Sequence, residues 1–412
     1  MDNRGTNCLL LHPQSLTGTD FDAWLNGFGN QGLMNAIKQK DNVISIIKDS
    51  GLRGYGGSGY PVYAKWELIA KQSATEKYLV CNGNEDEPGT FKDQLLMEEA
   101  PFQLIEGATI AALACGISTV IFYINASYQS CIDNVSAALD KWTASSCYRS
   151  IAEQVSIDYK IVISPGDYIA GEETAALEFI EGNFPYPRGK PPYPVEKGLH
   201  GLPTLVSNIE TISYISHILR KGSGWYKSQG KTGYEGMKLF CLSGDVVSSG
   251  VYELPMGTKL SELIYIYGNG IASGKSIQAV FAGGIGHNLL TSKECDIALD
   301  YETFSKQGAG LGTGTMIVVS NSTNLIDKVQ QYVQFLSDSS CGQCTACRSG
   351  TFYISRLLAE ISHGEKVQSN VGKVLELCGL LAGSGRCQLI DSAVVVTKSA
   401  LNVCKHQIKN KS

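Results

Sequence analysis

The sequence predicts an α/β protein: a parallel sheet first, then a small β-rich unit, then a helical bundle. Three observations carry this prediction. Between residues 78 and 164, β-branched and aromatic runs alternate with helical stretches; from 238 to about 320, short strands and glycine turns prevail; from about 324 the pattern is helical. At 412 residues and 43% hydrophobic, the chain can bury several cores.

Up to residue 50 the reading is helical, with Val43, Ile44, Ile46 and Ile47 on an apolar face that stops at Ser50-Gly51. A glycine-rich loop follows. Tyr78 opens the strand YLVC, followed by a helix over about Asp93 to Cys115 and a strand over about Thr119 to Ile124. Next come a helix over about Gln129 to Ala144 and the strand YKIVIS, 159–164. Such alternation on short connections implies a parallel, Rossmann-like sheet covered on both faces.

GEETAALEFIEG reads as another helix, and the five prolines of NFPYPRGKPPYPVEKG bar regular structure after it. Asn208 starts the helix IETISYISHILRKG. In the β-rich unit KLFCLSGDV and MIVVS are strands, with one helix near KLSELIYIYG. The expected divisions are 1–50, an N-terminal helical segment; 51–235, the α/β domain; 236–322, the β-rich unit; and 323–412, the bundle.

A net charge of -5 with scattered basic residues indicates no nucleic-acid footprint. Thirteen cysteines without a secreted-type framework, and no leader-like pattern in MDNRGTNCLLLHPQ, point to a reducing compartment; a cytoplasmic location is expected. Gly107 to Cys131 carries no charged side chain, yet Gly, Ser, Thr, Asn and Gln dilute it. Gly116 divides it into a helix end and a strand, so a buried joint is expected and not a membrane span.

The strongest chemical signal is Cys341-x-x-Cys344-x-x-Cys347, followed by Cys387 in GSGRCQ. This spacing lets three sulfurs turn inward from a loop and the first turn of a helix, and a [4Fe-4S] cube wants four thiolates. Structural zinc usually draws its cysteines from two separate knuckles, which leaves zinc or unliganded thiols as the weaker readings. Cys378, inside the helical VGKVLELCGLLAG, competes as fourth ligand; Cys387, past Gly383 and Gly385, is preferred because a loop can bend toward the other three.

Three loops outline a second site. Gly54 to Gly59 spells G-x-G-x-x-G, but a dinucleotide fingerprint needs a strand before it and a helix directly after it, and here a helix precedes and Pro61 follows. Side-chain-free backbone there can still approach a phosphate or ring, with Lys65 and Trp66 close behind. Cys81 to Thr90 leaves the carboxyl end of the first strand, and its acids Glu85, Asp86 and Glu87 read as metal ligands or as a solvated turn. Gly171-Glu172-Glu173-Thr174 stands at a helix start.

GLRGYGGSGYPVYAKW, CNGNEDEPGTFKD, GEETA, GKPPYP and SCGQCTACR, in this order, resemble the NADH-oxidising flavoprotein subunit of respiratory complex I. The diaphorase subunits of NAD-dependent formate dehydrogenases and hydrogenases are similar. The resemblance implies FMN in the α/β domain, NAD(H) over the flavin, a ubiquitin-like β-grasp fold for the insert, and a [4Fe-4S] cluster on Cys341, Cys344, Cys347 and Cys387. By the same resemblance the flavin site falls on Gly54, Gly56, Gly57, Lys65, Asn82, Gly171, Glu172, Asn208 and Thr211. Glu87, Glu173 and Lys190 would contact NADH, and Tyr60 and Tyr193 would stack on it.

Three positions depart from the family pattern: Asn84 replaces an aspartate and Ser207 an asparagine within the flavin site, and Leu68 replaces an aromatic residue. The implied activity is NADH dehydrogenation, hydride to FMN and then single electrons to the cluster, with NADH preferred to NADPH and no acid or base assigned. The expected partners are a small thioredoxin-like [2Fe-2S] subunit and a larger iron-sulfur or catalytic subunit, at the cytoplasmic face of the inner membrane when assembled. Operation toward NAD reduction, a flavin-less relay subunit and a zinc-stapled nucleotide-binding protein are the alternatives.

Overall fold

The computed structural model describes residues 8–152 and 155–405. Strands β1 (Tyr78–Gly83), β2 (Thr119–Asn125), β3 (Asp158–Ser164) and β4 (Thr204–Asn208) form one sheet, ordered β3-β2-β1-β4, with every pair parallel. Parallel neighbours need crossovers, and helices such as Pro101–Cys115 and Gln129–Ala144 provide them. The chain steps outward from β1 to β3 and returns on the other side of β1. The carboxyl ends of β1 and β4, where Asn82 and Asn208 are in register, therefore flank a topological switch point.

The single helix expected over Asp93 to Cys115 is two helices, Lys92–Glu99 and Pro101–Cys115. Pro101 has no N–H to continue the first helix and suits the opening position of a new one, after Ala100 at φ -144. A helix over Val62–Ala70 opens directly after Pro61, which the sequence reading did not foresee. The proline-rich bend also holds a short helix, Pro194–Lys197, with Pro194 in its first turn. Gly107 to Cys131 includes the buried end of the Pro101–Cys115 helix and the whole of β2. Among the described residues no helix is long and apolar enough to cross a membrane.

The second sheet holds β5 (Met237–Gly244), β6 (Gly250–Pro255), β7 (Ile277–Ala282), β8 (Leu289–Leu290) and β9 (Thr315–Ser320), ordered β6-β5-β9-β7-β8. Its central pair, β5 with β9, is parallel and its other pairs are antiparallel, the β-grasp arrangement. Besides the turn from Leu260 to Tyr267 there is a second helix, Tyr301–Lys306, capped by Asp300, which accepts the Thr303 N–H at 3.0 Å. The two-residue period of strands divides this sheet's faces. Val280, Met316 and Val318 pack on its own helical turn, whereas Ala279, Phe281, Ile317 and Val319 join the core of the bundle.

That bundle comprises Leu325–Asp338, Thr345–Ser362, Val367–Leu381 and Leu389–Val403. Another tie is at the amino-terminal side. Glu253 on β6 accepts the N–H groups of Leu9 at 2.9 Å, Leu10 at 3.1 Å and Leu11 at 2.9 Å, and the Tyr214 hydroxyl at 2.9 Å. The buried carboxylate thus joins three stretches of chain.

Candidate functional site

A cavity of about 930 Å³ opens at the carboxyl ends of β1 and β4. The loops after β1 and β3 meet the end of β4 there, as an open α/β sheet places a ligand site at its switch point. Gly54 and Gly56 are in its wall. Their loop is pinned: the Gly54 N–H donates to the Tyr60 carbonyl at 2.8 Å, and the Tyr55 N–H donates to Thr211 Oγ1 at 2.8 Å. A Cβ on Gly56 would stand 3.1 Å from that of Asn208, so a side chain there would push the loop off β4. Gly57 and Thr211 are not in the wall; Thr211 is buried beneath the loop and fixes it from below.

From the second loop, Asn82 and Asn84 face the cavity and bind the segment after β3. Asn82 Nδ2 donates to the Gly171 carbonyl and Asn84 Nδ2 to the Asp167 carbonyl, both at 2.9 Å, while the Ser164 hydroxyl donates to Asn84 Oδ1. Glu85 is neither a metal ligand nor a solvated turn. It is buried and accepts the N–H groups of Lys92, Asp93 and Gln94 at 2.9 to 3.1 Å, capping the Lys92–Glu99 helix from outside it. Glu87 accepts the Ile285 N–H at 3.2 Å and the Thr313 hydroxyl at 3.3 Å, linking the cavity wall to the β-grasp unit. Burial raises the Glu87 carboxyl to about 7; burial and then Asp167 raise that of Asp86 to about 6.

In the third loop Glu172 caps the Glu173–Ile180 helix, accepting the N–H groups of Thr174 at 2.8 Å and Ala175 at 3.0 Å. Lys190 donates to Glu172 at 2.8 Å and to Glu173 at 2.7 Å, and Lys65 donates to Glu173 at 3.1 Å. Burial would raise Glu173, but these two lysines leave its carboxyl below the ordinary value. Tyr60 and Tyr193 stand in the wall with 46% and 52% of their surfaces exposed, ring faces free for a ligand. Leu68 shares the wall and is likewise exposed.

Ser207 and Asn208 complete the wall from β4. Asn208 Nδ2 donates to Asp93 at 2.6 Å, and its Oδ1 accepts from Lys92 at 3.2 Å and from the Glu210 N–H at 3.0 Å. Behind it lies a buried ion network: Lys92 with Asp93 at 2.8 Å and Glu210 at 3.0 Å, and Lys238 with Glu210 at 3.1 Å. Burial, only partly offset by Glu210, lowers the Lys238 ammonium to about 8. The sequence reading missed this network. A lysine inside the apolar strand run MKLFCL was its one visible sign, since such a charge has to be paired.

A second, smaller cavity is lined by Cys341, Cys344, Cys347 and Cys387 with Ile169 and Ile390. Cys344 precedes the Thr345–Ser362 helix as its N-cap, Cys347 is in its first turn, and Cys387 comes from the loop ahead of Leu389–Val403. Cys378 is buried in Val367–Leu381 and is not in this wall. Among the described residues no three His, Cys, Asp or Glu side chains are gathered closely enough for a single metal ion. A four-iron cube separates its cysteines more widely than one ion does, and four half-buried or buried thiols around one void suit it. Ile169, Cys387 and Leu389 line both cavities, so one layer of side chains separates them.

The Nuo51 FMN-binding domain family matches residues 47–217, and the NADH-ubiquinone oxidoreductase-F iron-sulfur binding region matches 327–411. The second NADH-quinone oxidoreductase F subunit of Rhizobium meliloti (strain 1021) is 36% identical over 380 residues, 91% of this chain and 90% of that protein. The chain belongs to the family of NADH-quinone oxidoreductase F subunits. Another member, the F subunit of Rickettsia felis, is 37% identical over 359 residues, covering 86% of this chain and 85% of its own length. The crystal structure of an NAD+-reducing [NiFe]-hydrogenase in the H2-reduced state aligns at a TM-score of 0.84 and 30% identity, over 90% of this chain. The aligned part is 62% of that hydrogenase chain, less than two thirds of it. As an F subunit the chain is the flavoprotein of an NADH oxidoreductase, with FMN and a [4Fe-4S] cluster as its cofactors.

Proposed function

We propose that the larger cavity binds FMN and NADH together, that Cys341, Cys344, Cys347 and Cys387 ligate the cluster, and that electrons cross between them at Cys387. The supporting observation is the shared wall: Ile169, Cys387 and Leu389 border both cavities. Bound FMN supplies hydride acceptance and single-electron release, and the [4Fe-4S] cluster supplies one-electron relay. Gly54 and Gly56 offer close backbone approach, Lys65 offers positive charge to a phosphate or flavin ring, and Asn82, Asn84 and Ser207 line the same pocket. Gly171, Glu172 and Asn208 shape its floor, while Gly57, at a φ of +136°, lets the glycine loop turn and Thr211 holds that loop in place.

Tyr60 and Tyr193 orient the nicotinamide nucleotide by stacking, and Lys190, paired with Glu172 and Glu173 in the same wall, offers it positive charge. Glu173, kept ionised by Lys65 and Lys190, puts negative charge in the wall, and Glu87 adds to it as pH rises past about 7, which favours NADH over a substrate with an extra 2'-phosphate. The units 51–235, 236–322 and 323–412 then serve as flavin domain, brace and cluster holder, after an amino-terminal segment, 1–50. The assigned partners are a thioredoxin-like [2Fe-2S] subunit and a larger iron-sulfur or catalytic subunit, in a cytoplasmic or membrane-face complex. Anaerobic NADH titration of the purified chain tests the reading: flavin bleaching should be accompanied by a paramagnetic reduced cluster. Bleaching without any cluster signal, at full iron content, would reject the electron path.

A further inference from the structure

We infer that Ser340 tunes the cluster's reduction potential by donating its hydroxyl hydrogen to Cys347 Sγ. Ser340 Oγ lies 3.4 Å from Cys347 Sγ and accepts the Gly342 N–H at 3.4 Å. An oxygen that accepts there still has its own hydrogen to give, and an iron-bound thiolate has none, so the bond runs from Ser340 to Cys347. Two more of the four sulfurs receive backbone donors: the Arg386 N–H reaches Cys344 Sγ at 3.4 Å, and the Leu389 N–H bonds Cys387. Backbone donors survive substitution. Among these three, Ser340 is the donor that a mutation can delete. Hydrogen bonds to cluster sulfurs stabilise the more negative, reduced state and so raise the potential.

This inference rests on the cluster ligation proposed above. The test is an anaerobic redox titration of the full chain, read by electron paramagnetic resonance, on wild type, Ser340→Ala and Ser340→Thr. The alanine variant should keep its iron and titrate at a lower midpoint, the threonine variant should stay with wild type, and the flavin midpoint should not move. An unchanged cluster midpoint in the alanine variant at full iron content overturns the proposal, as does a threonine variant that shifts equally. Should Ser340→Ala retain no cluster, pulsed measurements on the wild type after brief exchange into heavy water decide. A rapidly exchanging proton coupled to the cluster supports the hydroxyl donor, and its absence overturns it. A wild type without any cluster instead removes the parent reading.

Discussion

Around the larger cavity, the asparagines that line it are each tied to a protein partner: Asn82 to Gly171, Asn84 to Asp167 and Ser164, Asn208 to Asp93 and Lys92. The smaller cavity is different. Cys341, Cys344 and Cys387 stand on loops or a helix edge, packed against the bundle core but with no side-chain polar scaffold comparable to the asparagines, and burial raises the Cys387 thiol to about 11. The first site is shaped before its ligand arrives; the second is completed by its metal, which has to displace thiol protons as it binds. The contrast teaches that positional accuracy comes from a polar scaffold in one case and from metal–sulfur bonds in the other.

The largest expected effect falls on the metal-dependent side. Cys387→Ala should lose nearly all cluster iron while flavin content stays at the wild-type level, checked by iron analysis and visible spectra. Equal loss of both cofactors would erase the contrast. Next, Glu210→Gln leaves Lys92 and Lys238 buried without their shared carboxylate and should cost about 3 to 5 kcal/mol in urea unfolding. No measurable cost would show that the scaffold behind the larger cavity is not what holds it.

The scaffold should also be acid-sensitive. His217 is buried against Gln103 at 2.8 Å, and burial, then Arg220 and His12, lower its imidazole to about 3 from 6.5. A base with a depressed folded-state value gives stability that is fully present above 6.5 and is lost as pH falls toward 3. Between pH 7 and 5 the loss should be about 2 kcal/mol, and His217→Gln should flatten that slope in paired urea titrations.

Smaller effects concern the ligand faces. Tyr193→Ala should raise the NADH KM several-fold, by loss of about 0.5 to 1.5 kcal/mol of stacking, with kcat little changed. Steady-state kinetics with an artificial acceptor decide this. The smallest shift is that of Asn84→Asp: added negative charge disfavours reduced anionic flavin, so its midpoint should fall below wild type in potentiometry. An unmoved midpoint would place the Asn84 side chain outside the flavin's field.

Legibility followed the range of the interactions. Apolar runs broken by glycine marked the strands, and the Cys-x-x-Cys-x-x-Cys spacing marked the loop and helix turn, because both signals are local. Pro101 was a local signal passed over inside a long apolar helix. Glu85 could not be read as a cap, since it stands seven residues before Lys92, outside any ordinary capping pattern. Lys92, Glu210 and Lys238 meet only after the two sheets have folded together. The support of the glycine loop by Thr211 is likewise a matter of packing, with no trace in spacing.

The Glu253 clasp has a consequence for synthesis. Leu9 and its carboxylate partner are 244 positions apart, so the opening residues leave the ribosome long before the group that receives their N–H donors exists. At about 5 to 20 residues per second that delay is on the order of 12 to 50 seconds. During it the apolar run Leu9–Leu11 is without its acceptor, and a translation pause before β6 would prolong that exposure.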